Sequence, residues 1–432
     1  MRGPAAAGLS RVRIVSLMSG TSYDGIDVAV ADWELAGDTL RLRPVGERSL
    51  PYPADVPAAI AALLPPAATT IEAVCRLDTR LGQVFADAAA SGLEIAGGRA
   101  DLVVSPGQTV FHWIDGGRAA GTLQLGEPAW IARRTGLPVL SNLRSADIAA
   151  GGQGAPLVPA FDALLLAGAG PELPAGRPAR EAVPRGVAEP AARAVLSRDD
   201  GGPAARAALN LGGIANLTVV APPAPVLGYD IGPANALIDV AARRCGLPYD
   251  VDGARAAAGR VQPELLALLL AEPYYAASPP KSTGKELFSA RYLDDRLAEL
   301  GKPVNRDDLV ATVTELTARI VAAACGRHGV VEVLAAGGGV RNPVLMARLA
   351  ALGAGRWRLA RTEELGIPAQ AREAYAFGLL GWLSWHHLPG ALPSVTGARE
   401  AAVLGSWTPG TAVAADRPAP GVTRPPRRLL VG

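Results

Sequence analysis

Three glycine-bearing turns and one carboxylate at a strand end hold the residues of this chain best suited to chemistry. The first turn is Ser19-Gly20-Thr21-Ser22-Tyr23-Asp24-Gly25. It places hydroxyls, glycine and a carboxylate on one tight bend. Phosphate binding asks for backbone N–H groups that approach closely and for hydroxyls that donate. Asp24 could hold a metal-bound water near the phosphates of a nucleotide. The bend is not a P-loop, because no Gly-Lys-Ser/Thr ending follows, and Asp24-Gly25 suits a plain hairpin turn as well. Gly212-Gly213 is a second candidate phosphate cradle. Gly337-Gly338-Gly339 is a third, at a strand-to-helix junction where backbone donors and a helix N-terminus can meet an anion or a nucleoside. Singly, each is more often a loop than a ligand site. The three together, each after an apolar strand, favour a nucleotide cleft.

Asp230 sits in Gly228-Tyr229-Asp230-Ile231-Gly232-Pro233. A carboxylate at a strand end can act as a general base if water or a hydroxyl lies within hydrogen-bond reach. It can equally cap a helix opened by Pro233. Glu373 starts the last helix, where it either favours the helix dipole or hydrogen-bonds a polar substrate. Gln108 and Thr109 follow a buried strand and could bind sugar hydroxyls or form an ordinary turn. The run 147–156, with Gly151-Gly152-Gln153-Gly154, reads as a substrate loop, a hinge or a linker. Lys281, in Pro280-Lys281-Ser282-Thr283-Gly284-Lys285-Glu286, could contact phosphate, although an exposed loop is the commoner meaning of such a stretch. Asp250-Val251-Asp252-Gly253 fails as a calcium loop, because Arg255 and Val261 occupy the obligate Gly and Glu positions.

The elements that must position these groups follow from apolar patterning. Val12–Met18 reads as a buried strand and the residues near Ile26–Trp33 as its hairpin partner. Helical spacing covers Ile71–Leu93. Leu102–Ser105 and Pro138–Asn142 read as short strands around a helix at Pro128–Arg134, and Pro156–Leu166 reads as a helix. Ala207–Leu211, a turn at Gly212–Asn216 and a strand at Leu217–Val220 repeat the opening pattern. After the strand Val331–Ala336, Asn342 is an expected N-cap and Pro343 the first residue of a helix reaching Gly353. A last helix spans about Arg372–His387. Two similar openings imply two related domains: residues 11–146, completed by part of 355–406, and residues 147–354. A Pro/Arg/Ala-rich stretch at 171–204 is expected to be a flexible insertion, and 408–432 a disordered tail.

The chain has 432 residues, 42 Lys plus Arg against 40 Asp plus Glu, and 49% hydrophobic residues. Charge this balanced argues against a dedicated nucleic-acid or membrane-surface protein. Three scattered Cys form neither a zinc spacing nor a disulfide framework, which fits a reducing compartment. The N-terminal residues lack the apolar region of a signal peptide. Stretches such as Leu265–Ala271 are too short to span a bilayer. A cytoplasmic protein is the expectation.

The motifs also resemble one family, the anhydro-N-acetylmuramic acid kinases. The resemblance is carried by Leu17–Asp27, Gly107-Gln108-Thr109 and the run Asp147–Phe161. It continues through Asn210–Asn216, Asp230–Asn235, Pro280–Glu286, Gly337-Gly338-Gly339, Glu373 and Val395–Ala398. These matches run in order from about residue 12 to 406. The resemblance implies an α/β fold of two ribonuclease-H-like domains around a central nucleotide cleft, in the superfamily of actin-like proteins, sugar kinases and heat-shock-chaperone ATPases. It implies ATP with magnesium, an amino-sugar substrate and a homodimer, with no nucleic acid and no membrane. The implied reaction hydrolyses the 1,6-anhydro ring while O6 takes the γ-phosphate, within recycling of cell-wall murein. Asp230 would be the base. Gly20, Thr21, Ser22, Tyr23, Asp24, Gly25, Ile26 and Asp27 would hold ATP, with Gly212, Gly213, Gly337, Gly338, Gly339 and Asn342. Gln108, Thr109, Arg144, Asp147 and Glu373 would bind the sugar, and Asp24 and Asp27 would serve magnesium. Pro106 and Asp162 stand where the family usually has His, and Asn142 where Asp is common. Two other readings are a kinase of another sugar and a non-catalytic protein switched by nucleotide.

Overall fold

The computed structural model describes residues 11–20, 23, 25–64, 67–170, 204–284, 287–410 and 422–432. Thr21, Ser22 and Asp24 of the first turn, Lys285 and Glu286, and nearly all of the expected insertion at 171–204 lie outside the described residues.

The strands are β1 (Val12–Met18), β2 (Gly25–Ala36), β3 (Thr39–Pro51), β4 (Leu102–Val104), β5 (Gln108–Asp115), β6 (Arg118–Leu125) and β7 (Val139–Ser141). Then come β8 (Ala205–Leu211), β9 (Ile214–Val220), β10 (Leu227–Pro233), β11 (Val330–Ala336), β12 (Arg358–Arg361), β13 (Ser406–Thr408) and β14 (Arg428–Val431). The helices are α1 (Asp55–Leu63), α2 (Ile71–Ile95), α3 (Pro128–Thr135), α4 (Ser145–Ala149), α5 (Pro159–Gly168), α6 (Asn235–Arg243) and α7 (Ala254–Ala258). They continue as α8 (Pro263–Leu270), α9 (Ala290–Leu300), α10 (Arg306–Arg327), α11 (Pro343–Gly353), α12 (Arg372–Trp385) and α13 (Pro393–Thr396).

The chain divides into two units, after Ala169 and again after Gln370. The first boundary therefore falls beyond the 146 expected from sequence. The reason is packing: α4 lies on β6, and α5 lies on β14 and α12, all in the first unit. Residues 355–370 stay with the second unit because β12 pairs with β11.

In the first unit the sheet order is β13-β7-β4-β1-β2-β3-β14. Its centre has β1 and β2 antiparallel, β2 and β3 antiparallel, and β4 and β7 following in parallel. The second unit repeats this: β10-β9-β8-β11-β12, with β8, β9 and β10 antiparallel and β11 and β12 parallel to β8. With the five central strands of the first sheet, β1 to β4 and β7, numbered in chain order, both sheets run 3-2-1-4-5, the ribonuclease-H-like arrangement, and β14 and β13 extend the first at its two edges. The repeat inferred from two similar hairpin openings is a repeat of topology.

Alternation along β1 sends successive side chains to opposite faces. Val15 and Leu17 face a cluster that includes Leu81, Phe85 and Ala89 of α2. That helix presents Leu77, Leu81, Val84, Phe85, Ala88 and Gly92 at helical spacing, and the Thr70 hydroxyl caps it by accepting from Ala73 N at 3.1 Å. On the other face α12 crosses at two glycines. A Cβ at Gly378 would press on Trp33 and Ser16, and one at Gly381 would overlap the Val104 side chain. Gly381→Ala is expected to cost about 1–3 kcal/mol through overpacking, read as a lowered thermal midpoint.

In the second unit α10 is apolar on nearly every side, and between Leu309 and Cys325 all but Arg319 and Ala323 are buried. By length and composition alone it could cross a membrane, contrary to the expectation that no stretch is long enough. Its Glu315 instead receives two hydrogen bonds from Arg348 of α11, at 2.7 and 3.0 Å, and one from Arg319 at 2.7 Å. A paired charge at its centre belongs to a core helix of this unit.

Two further expectations change. Pro233 ends β10 and does not open a helix; α6 begins at Asn235. β10 is an edge strand, so a residue without an N–H leaves its ladder intact. The tail is also partly ordered. β14 pairs in parallel with β3, Leu429 is buried, and Gly168 of α5 admits the Leu429 carbonyl where no side chain would fit. Residues 411–421 of that expected tail lie outside the described residues.

Candidate active site

In the first unit, the β1–β2 connection is held from below by buried polar groups. Gln108, at the start of β5, is 1% exposed. Its Oε1 accepts from Ser19 Oγ at 2.7 Å and from the Tyr52 hydroxyl at 3.2 Å, and its Nε2 donates to the Gly20 carbonyl at 3.3 Å. Tyr23 N donates to the Gly20 carbonyl at 3.1 Å, and Tyr23 takes a positive φ of 42°. Gln108 therefore uses its carboxamide to shape the turn. Thr109 is half-buried, and its hydroxyl accepts from Gln124 at 3.3 Å. Gly25, Ile26 and Asp27 open β2, and the Asp27 carboxylate accepts from Ser49 Oγ.

A charged cluster gathers around the first turn of α12. Burial pushes the Glu373 carboxyl above its ordinary value; Arg144 and Arg372 oppose this, and Asp27 and Asp162 add to it. Burial likewise pulls the Arg144 guanidinium down, with Glu373 opposing. Arg144 donates to the Gly154 carbonyl at 2.9 Å. Arg372 pairs with Asp162, both fully buried. His112 of β5 is pulled below the usual imidazole range by burial and by Arg144, with a hydrogen bond to the Gln153 backbone acting against them. Asp147 is 0% exposed and ties the loop together: its carboxylate accepts from Gly154 N at 2.8 Å and from Thr396 Oγ1 at 2.7 Å. Gly152 lies so close to it that any Cβ would collide.

In the second unit, Gly212 and Gly213 form a two-residue connection between β8 and β9, tighter than the five-residue turn expected. Their carbonyls accept from the N–H groups of Ala234, Asn235 and Ala236 at 2.9–3.0 Å, which fastens this turn to the start of α6. The third glycine site meets it there. Gly337 has φ +85°, and a Cβ on it would sit 2.6 Å from Asn210 Oδ1 and 2.9 Å from the Leu211 carbonyl oxygen. Gly338 is exposed, and Gly339 packs on Leu211. The two glycine sites are thus one surface, built by parallel pairing of β8 with β11. Asn342 is the expected N-cap: its Oδ1 accepts from Val344 N and Leu345 N, both at 3.1 Å.

Asp230 lies within β10, at a register shift against β9, and does not cap α6. Its Oδ2 accepts from Ser282 Oγ at 2.9 Å and from Thr283 N at 3.1 Å. Its backbone N donates to the Lys281 carbonyl at 3.2 Å, and its carbonyl accepts from the Tyr274 hydroxyl at 2.8 Å. The Lys281 ammonium donates to the Tyr274 carbonyl at 2.9 Å and lies 4.5 Å from the centre of the Tyr274 ring. Burial pulls it down to about 8, with Arg327 adding and Asp230 opposing. Folding thus disfavours the ammonium. That cost is full below about pH 8 and is relieved as pH rises from there towards the free-lysine value.

Arg372, His112, Ser282 and Thr283 are not among the candidate site residues that the sequence singles out. A lone His in a strand carries no local signal. Ser282 and Thr283 were visible only as part of a motif.

A family model described as anhydro-N-acetylmuramic acid kinase matches residues 12–172 and 190–410. The chain is 50% identical over 404 residues to an anhydro-N-acetylmuramic acid kinase of Streptomyces coelicolor, covering 92% of this chain and 94% of that one. It is 52% identical to one of Streptomyces avermitilis, covering 92% and 95%, and 47% identical to one of Rhodococcus erythropolis, covering 93% and 95%. Among solved structures it is similar to the activator of the 2-hydroxyisocaproyl-CoA dehydratase from Clostridium difficile with bound ADPNP. That match has a TM-score of 0.34 and 12% identity, covering 85% of this chain and 95% of that one.

Proposed function

This chain belongs to the anhydro-N-acetylmuramic acid kinase family, and from that premise we propose how its own residues carry the reaction. The substrates are ATP, water and 1,6-anhydro-N-acetylmuramic acid. Asp230 takes a proton from water as the water oxygen bonds to the anomeric carbon. The bond from that carbon to O6 breaks, and O6 takes the γ-phosphoryl group. The products are N-acetylmuramic acid 6-phosphate and ADP. The observation that supports this role is the held carboxylate: Ser282 Oγ and Thr283 N both donate to Asp230 Oδ2. Such donors favour the ionised form that a base needs.

The β1–β2 turn and the joined glycine surface of β8, β9 and β11 are the proposed ATP-binding backbone. Glu373, Arg144 and Thr109 are the proposed sugar contacts. Gln108 and Asp147 act one step back, as supports for the turn and the loop. Magnesium suits oxygen ligands and keeps several waters; Asp27 would offer it such a ligand, and when bound it would supply neutralisation of phosphate charge. Phosphoryl transfer asks mainly for alignment and electrostatic stabilisation. A homodimer is proposed, with the exposed Phe111, Trp113, Ile114 and Leu123 of the β5–β6 hairpin as the pairing surface. A cytoplasmic location is proposed, supported by three cysteines that are all free thiols.

The test is product analysis in ¹⁸O-labelled water, quenched early, before the anomeric hydroxyl exchanges with solvent. The expected product carries one label at the anomeric hydroxyl and none in its phosphate, with one ADP for each sugar. Label in the phosphate, or ADP release independent of the anhydro-sugar, overturns the reading.

A further inference from the structure

An edge strand leaves backbone N–H groups without a neighbouring strand. At Asp230 of β10 that place is taken by a short strap, residues 280–283. The Lys281 carbonyl accepts from Asp230 N at 3.2 Å. The next two residues then turn onto the carboxylate, and both donate to the same oxygen. The strap is pinned from its other side. The Lys281 ammonium donates to the carbonyls of Tyr274 at 2.9 Å and Tyr275 at 3.4 Å. It also lies over the rings of Tyr274 and Tyr229, at 4.5 and 5.7 Å. Cation–ring and carbonyl contacts of this kind hold a lysine in place. Tyr274 in turn donates to the Asp230 carbonyl. Asp230 is thus held at its backbone N–H and its side chain by the strap, and at its carbonyl by Tyr274, on which the strap's lysine is anchored.

We propose that Ser282 and Thr283 are positioning residues for Asp230, and that Lys281 anchors the strap carrying them. This rests on the reading of Asp230 as the base. Two donors on one oxygen fix the side-chain rotamer, and they stabilise the carboxylate over the carboxylic acid. The residues touch neither ATP nor sugar in this role; they act through Asp230.

Ser282 is exposed, so its substitution leaves the fold unburdened. The experiment follows steady-state turnover of ATP and the anhydro-sugar against pH for the wild type, Ser282→Ala, Ser282→Thr and Lys281→Met. Ser282→Ala is expected to lower kcat by about two- to tenfold, the worth of one hydrogen bond. It is also expected to move the acid limb of the kcat/KM profile to higher pH, because a lost donor raises the carboxylate's affinity for protons. KM for ATP stays unchanged, and Ser282→Thr restores both kcat and the acid limb. Lys281→Met shifts the limb in the same direction. A Ser282→Ala protein with wild-type kcat and an unmoved acid limb overturns the proposal. So does a loss that tracks a lowered thermal midpoint and is not restored by threonine. Asp230→Asn separates the two levels. If that variant turns over near normally, the base assignment falls. If it is inactive while Ser282→Ala is unchanged, only the strap's role falls.

Discussion

Asp230→Asn is expected to lower turnover by about 10²–10⁴-fold, the usual worth of a positioned general base. The substitution is well suited to the question. Asparagine keeps an oxygen that accepts from Ser282 and Thr283, so the strap keeps its partners. What it loses is the ability to take a proton. ATP binding should therefore survive, since the glycine surface around Gly212 and Gly337 does not involve this side chain. ADP release measured with and without the anhydro-sugar, beside ATP titration by calorimetry, gives both halves of the result. Near-normal turnover would remove Asp230 from the chemistry.

The second large effect concerns stability. Arg372→Met is expected to cost about 3–5 kcal/mol, because it breaks a buried ion pair by removing one of its charges. Denaturant titration should show the loss, with Trp33 and Trp382 as buried fluorophores in the same unit. Arg372→Met with Asp162→Asn should recover much of it, since the other buried charge of the pair is then gone as well. Arg372 also opposes the upward push on the neighbouring Glu373 carboxyl. In the single variant Glu373 should therefore titrate at still higher pH, and the pH dependence of sugar affinity, for which Glu373 is a proposed contact, should shift in the same direction. A single variant as stable as the wild type would mean that this pair contributes nothing to the first unit.

Local patterns were the legible part of the fold. β1 was readable residue for residue, because an apolar run ends at a polar glycine turn. The Asn342–Pro343 start of α11 was readable because cap and first helical position are chemical choices made by adjacent residues. The repeat was readable from two openings of the same kind. What escaped depended on distant partners. Pro233 looked like a helix start until β10 proved to be an edge strand. Residues 428–431 looked like tail, yet a strand beside β3 needed them. Gln108 suits sugar hydroxyls or an ordinary turn by its type, and Asp147 is a sugar contact only on the family resemblance. In the structure their polar atoms make hydrogen bonds to Ser19, Gly20, Gly154 and Thr396. Asp162 stood out only as a departure from the family pattern. Its partner lies 210 positions along the chain, so its meaning could not be local. Asn142, the other departure, sits at φ 50° and accepts from Ser145 at 2.6 Å, a conformation that asparagine tolerates.

The way the chain leaves its first sheet and returns to it has a consequence for biosynthesis. Every strand of the second unit, β8 to β12, is made before residue 371 leaves the ribosome. The first unit begins earlier but is completed later, because α12, β13 and β14 all follow. During translation β3 has an open edge for almost 400 residues, until residues 428–431 arrive to cover it. The unit that starts first is therefore the one completed last, and the open edge of β3 is a place where a nascent chain can pair with another.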